Sequence, residues 1–126
     1  MSSGRWTFTY EEPWWIARRT PEADANTVRA VETFFLPVAD DPESIEELLN
    51  VWRDGCERFG IGFRTGTEGG AVERISDEEV ELQDRYRQFD NVVIGVDEFE
   101  DMLLTHKRAS SEHGPKNPAV SPDEST

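Results

Sequence analysis

Lysine is almost missing from this chain: of 13 basic residues only Lys107 and Lys116 are lysines, and the other 11 are arginines. Against them stand 27 acidic residues, for a formal charge of −14. Neutralising phosphates requires clustered Lys and Arg, so a field of this sign disfavours nucleic acid and anionic membrane alike. Cysteine occurs once, at Cys56, which excludes an internal disulfide and a multi-cysteine metal cage. Histidine occurs twice, at His106 and His113. No apolar run approaches the roughly 18 residues of a membrane span. The opening MSSGRWTFTY has no apolar signal core either. The expectation is a soluble protein that is not exported by a signal peptide, cytoplasmic or assembled into a particle made in the cytoplasm.

The acid excess is not confined to one end, since residues 1–108 alone hold 24 acidic and 12 basic residues. Three settings fit it: a basic partner, a mimic of nucleic acid, or adaptation to high salt. At 1 M salt the Debye length is about 3 Å, so self-repulsion of an acidic surface is largely screened. Carboxylates also keep surfaces dissolved better than lysines do. Excess Asp and Glu with Arg in place of Lys is the halophile-like pattern. A mimic needs carboxylates in rows on one face, whereas here they occur on every segment.

What is present is aromatic: four Trp, seven Phe and two Tyr in 126 residues, enough for one core and one domain. RWTFTY (5–10) alternates strictly and predicts a half-buried strand. EEP (11–13) breaks it, and WWIARR (14–19) predicts a second strand antiparallel to the first. TVRAVETFFLPV (27–38) fits helix or strand, and its β-branched content favours strand. From Pro42 to Phe59 the spacing predicts a helix with Ile45, Leu48, Leu49, Trp52, Cys56 and Phe59 on one stripe, capped by Asp41 and stopped by Gly60. Gly55 interrupts that helix at about 1 kcal/mol relative to Ala, which a close helix–sheet approach would explain.

Residues 61–76 predict two short strands around a Gly-rich turn. Ser76 and Glu79 match a capping box and predict a helix through about Phe89, with Leu82, Tyr86 and Phe89 inward. NVVIGV (91–96) predicts a buried strand, and Asp97 opens a last helix. From Ala109 the composition turns to Ser, Pro, Glu and Gly, which predicts a disordered arm over 109–126 beyond a single domain at 1–108. The fold class expected is α+β: a mixed or antiparallel sheet of five or six strands, with three helices packed mainly on one face and the 42–59 helix across it.

Motifs that carry chemistry are scarce. GIGFRTG (60–66) lacks the third glycine of a dinucleotide fingerprint and follows a helix rather than a strand. A nucleophilic Ser or Cys needs a base held near it. His113 lies in the expected arm, and His106 fits a helix end or a core edge better than a catalytic position. Cys56, on an apolar stripe, fits a buried inert thiol. Acid pairs such as Asp40/Asp41 and Glu98/Asp101 arise by chance among 27 acids. No catalytic residue, cofactor site or metal site is assigned, although a small enzyme using carboxylates alone is an alternative class.

The tryptophans carry the positive expectation. Neighbours on a strand point to opposite faces, so Trp14 and Trp15 cannot enter one core. One joins Trp6, Phe8 and Tyr10 against the long helix; the other is covered by another part of the domain or meets a partner. Trp and Arg are enriched at binding hot spots, and Arg18 and Arg19 lie close by. The candidate interaction surface is therefore Trp14, Trp15, Arg18 and Arg19, on a non-catalytic assembly protein that contacts other protein, itself included. A small structural part of a larger particle, such as a tailed-virus head–tail joint or capsid accessory, suits the size and architecture. The rival from another class is an acidic regulator or inhibitor that mimics nucleic acid toward a basic protein.

Salt separates adaptation from the other sources of acidity. Thermal unfolding followed from low to molar NaCl is expected to show Tm rising by about 4 °C or more, the equivalent of about 1 kcal/mol in a domain this size. A flat response contradicts adaptation.

Overall fold

A computed structural model describes residues 4–113. Along the chain come β1 (Arg5–Glu11), β2 (Trp14–Thr20), α1 (Ala25–Phe35), a short 3-10 turn (Leu36–Val38) and α2 (Pro42–Phe59). They are followed by β3 (Arg64–Thr67), β4 (Gly70–Arg74), β5 (Glu79–Asp84), β6 (Val92–Gly95) and α3 (Val96–His113). The fold is α+β, as expected. Its strands divide into two antiparallel sheets, the hairpin β1–β2 and a four-stranded meander in the order β3-β4-β5-β6. No helix among the described residues is long and apolar enough to cross a membrane.

Two segments exchange the structures expected of them. The 27–38 stretch is helical, not extended. Asp24 caps α1 by accepting the Thr27 N–H at 2.9 Å, and Ala30, Val31, Phe34 and Phe35 are buried. Placing two adjacent phenylalanines in the core outweighs the β-branched propensity of the segment. The 76–89 stretch is not a helix but contains β5. The Ser76 hydroxyl accepts the N–H groups of Glu78 and Glu79, as a capping box requires. The Ile75 N–H, however, donates to the Glu79 carbonyl, and the chain turns back as a hairpin. Val80 and Leu82 then point into the core with period 2. Tyr86, expected inward, is exposed, while Phe89 is buried as expected.

The last helix runs further than its composition implied. It continues through Ala109 to His113, so the expected arm does not begin at 109. The remainder of that arm lies outside the described residues.

The β1–β2 hairpin turns through a cis Glu12–Pro13 bond, with proline third of the four turn residues, the type VI arrangement. Its inner face does not rest on α2. It packs on α3 and α1, both of which touch the two sheets. Phe8 meets the edge of Phe35 at 5.6 Å, Phe34 meets Phe99 at 5.8 Å, and Phe99 meets Trp52 at 5.2 Å. A chain of edge-on aromatic contacts thus joins hairpin to long helix through the middle of the molecule.

α2 begins and ends where expected. Asp41 accepts the Glu43 N–H and the Ser44 hydroxyl, Pro42 takes the first turn, and Gly60 closes the helix at φ 67°. Ile45, Leu48, Leu49 and Trp52 are buried, whereas Cys56 is half-buried and Phe59 lies outside the stripe, exposed and stacked on Phe63 at 6.0 Å. The close approach expected at Gly55 is made by the ring of Phe63, which occupies the space a β-carbon would need.

Helix propensity alone favours Gly55→Ala by about 1 kcal/mol. Because the added methyl displaces Phe63 from Trp52, the urea midpoint is expected to fall, by the 1–3 kcal/mol typical of overpacking less that gain. A midpoint raised by the full propensity term contradicts this packing.

Candidate interaction surface

Trp14 and Trp15 do face opposite ways. Strand register places Trp15 beside Tyr10, Ala17 beside Phe8 and Arg19 beside Trp6, all on the inner face. Trp14, Ile16 and Arg18 share the outer face with Thr7, Thr9 and Glu11. Trp14 is 59% exposed, and Ile16 is half-buried next to it. Arg18 reaches across the strands to Glu11 at 3.1 Å, but both side chains are more than half exposed, so the pair adds little stability.

Trp15 is held inside. Its indole N–H donates to Asp40 at 2.7 Å, and its ring lies 5.5 Å from Tyr10 and 5.1 Å from His106. Arg19 is likewise committed. Its Nε donates to Glu98 Oε2 at 2.8 Å, its Nη2 to Oε1 at 3.3 Å, and its Nη1 to the Pro21 carbonyl at 3.0 Å. The four residues expected to form one surface therefore split, two outward and two inward. Only Trp14 and Arg18 remain available for contact.

Glu98, which on sequence is only half of a chance acid pair with Asp101, is the residue that ties this face to the body. It sits in the first turn of α3, where the helix dipole favours a negative charge. Besides Arg19 it accepts the Trp6 indole N–H at 2.6 Å and the Gly4 N–H at 3.3 Å. Burial alone would raise its pKa, but the Arg19 and Trp6 hydrogen bonds, the Arg19 charge and the Gly4 N–H outweigh that and hold it below the usual carboxylate range. The Arg19 guanidinium is correspondingly pushed up, first by its hydrogen bond to Glu98. Among 27 acids no local pattern distinguishes this one; only the tertiary partners do.

His106 does not end its helix. It is fully enclosed, stacked on Phe8 at 4.3 Å and within 4.9 Å of Phe35, and its Nδ1 has no hydrogen-bond partner among the described residues. Burial pushes its pKa down, against the opposing pull of its own backbone carbonyl and the Asp40 charge. A neutral imidazole walled in by rings is a packing element. Cys56 is half-buried, and desolvation raises its pKa despite the neighbouring Arg74. Among the described residues no group of three or more His, Cys, Asp or Glu side chains is arranged to hold a metal ion.

Both depressed groups make the fold acid-sensitive. The folded chain refuses at His106 a proton that the unfolded chain accepts below the ordinary value of 6.5. Stability therefore falls as pH drops from 6.5 toward the lowered value, by at most about 1.4 kcal/mol per pH unit. Glu98 adds a second loss below its ordinary 4.5. Urea midpoints measured from pH 8 to 2.5 are expected to show both windows in the wild type. His106→Phe is expected to flatten the upper window and leave the lower one in place. An unchanged upper slope in His106→Phe contradicts the assignment.

Comparison of the chain with protein-family models, curated proteins and solved structures finds no match.

Proposed function

We propose that this chain is a non-catalytic protein-interaction domain, with an assembly or adaptor role, that docks a partner protein through the outer face of the β1–β2 hairpin. The exposure of Trp14 is the observation that carries the reading. An indole left 59% exposed on a strand keeps on the order of 100 Å² in water, worth roughly 2–3 kcal/mol once covered. Ile16 extends the apolar strip on the same face, and Thr7 and Thr9 supply hydroxyls beside it. Arg18, weakly held by Glu11, is free to exchange that partner for a carboxylate of the docked protein. An aromatic anchor with an arginine at its rim is the composition of a binding hot spot.

The inner residues support this face without touching the partner. Arg19 and Trp15 fix the strand to the body, so the outer side chains are presented on a rigid support. The carboxylates on the wet faces of α2 and on β5 are spread over several surfaces, which favours salt adaptation over a phosphate-like row.

Replacing Thr9, exposed on the same outer face, by a photo-crosslinking amino acid in the native host is expected to give a discrete protein adduct that is lost when Trp14→Ala is added. The same probe at the exposed Arg53, on α2, serves as control and is expected to give none of that mass. Trp14→Ala is expected to abolish the association while shifting the unfolding free energy by about 0.5 kcal/mol or less. Loss of stability without an adduct, or equal adducts at both positions, contradicts the proposal.

A further inference from the structure

β3 is a terminal strand of the meander, and beside it runs a groove of about 450 Å³. One wall is the strand itself, through Thr65 and Gly66; the other is α2, through Leu48 and Val51, with Val51 44% exposed. Antiparallel pairs alternate between residues that exchange hydrogen bonds and residues that turn theirs away. The Arg74 N–H donates to the Phe63 carbonyl at 2.9 Å, which fixes the phase. Counting on from it, Thr65 and Thr67 use their backbone groups on β4, and those of Arg64 and Gly66 face away from the sheet. An outward-facing ladder beside an apolar helix wall is the geometry in which an added strand is bound by main-chain hydrogen bonds and its alternate side chains by the groove.

Charge selects the occupant. Glu47 and Glu68 stand on the groove, and no Lys or Arg is among the described residues that line it. A second copy of the chain would bring these carboxylates against their own images, on a body of net charge −14. We propose that this groove binds an extended segment of a partner protein, added as a fifth strand along β3, whose side chains on the α2 side are apolar toward Val51 and Leu48 and basic toward Glu47 and, at the β3–β4 turn, toward Glu68. This site is separate from the hairpin face and stands or falls independently of it.

The test uses the full chain, isotopically labelled, titrated with blocked synthetic peptides of about eight residues that carry Val and Lys together on one side of the strand and Thr on the other. Expected are saturable amide shifts at Arg64, Gly66 and Val51, and slowed hydrogen exchange at Arg64 and Gly66. The same peptide with its alternate backbone nitrogens methylated keeps its charge but cannot complete the ladder. It is expected to bind roughly tenfold more weakly, the equivalent of about one net hydrogen bond. The Glu47→Gln, Glu68→Gln double variant, whose changes lie on the wet surface, is expected to weaken the parent peptide roughly five- to tenfold at low ionic strength. Equal binding of the methylated peptide, shifts spread over all acidic faces, doubling of the protein's mass in place of binding, or no saturable shift at millimolar peptide each overturn the proposal.

Discussion

The structure depends on one buried carboxylate. A two-stranded hairpin is marginal on its own, and this one shares no sheet with the other described strands. Glu98 joins it to α3 through four donors, two guanidinium nitrogens of Arg19 and the Trp6 indole on the hairpin and the backbone amide of Gly4 just before it. Desolvating a carboxylate costs several kcal/mol, and only saturation of its lone pairs with charged and neutral donors offsets that. With Arg19 removed, Glu98 would keep only the Trp6 and Gly4 donors, and breaking a buried pair of this kind typically costs about 3–5 kcal/mol. The clamp is also what aligns Trp6 and Phe8 with the aromatic contacts that continue to Trp52.

Glu98 is not alone in this role. Glu32 of α1 accepts the Ala17 N–H at 2.8 Å on the open edge of β2, and Asp40, after the 3-10 turn, accepts the Trp15 indole. Three carboxylates from three separate elements therefore hold the hairpin, each on a donor that its strand partner does not satisfy. The acidic composition is accordingly not only a coat. The inner face of β2 is fixed by these bonds, while among the described residues the outer face of the hairpin carries only a weak surface ion pair. The same alternation that buries Trp15 exposes Trp14.

How much of this was legible depends on the range over which the signal acts. The 42–59 helix and the first two strands carry their caps, breakers and periodicity within a few residues, and they form where the pattern places them. The 27–38 and 76–89 segments do not. The Ser76 hydroxyl accepts its capping-box bonds in a hairpin turn as readily as in a helix, while the Ser76 N–H donates to the Glu79 backbone carbonyl instead of its side chain, so the motif leaves the next element undetermined. Val80 and Leu82 alternate with Glu81 and Gln83, a period-2 cue set against the cap. For α1 the cue was Asp24 together with the adjacent pairs Ala30–Val31 and Phe34–Phe35, one turn apart. At the candidate site, opposite facing of the two tryptophans followed from strand geometry alone. The commitment of Arg19 did not, because its partner lies 79 residues away.

The composition also bears on which contacts this protein can use. If the acid excess reflects concentrated salt, charges separated by more than about 3 Å are screened there, and long-range steering contributes little. Burial of an indole is not weakened by such screening, and excluded salts strengthen it. Main-chain hydrogen bonds along a strand edge act at contact distance and persist as well. An arginine beside an exposed tryptophan, and a backbone ladder beside an apolar wall, are both built on these short-range terms, with charge acting only where it touches. Recognition of this kind does not need the net charge of −14, which leaves the charge free to keep the surface hydrated.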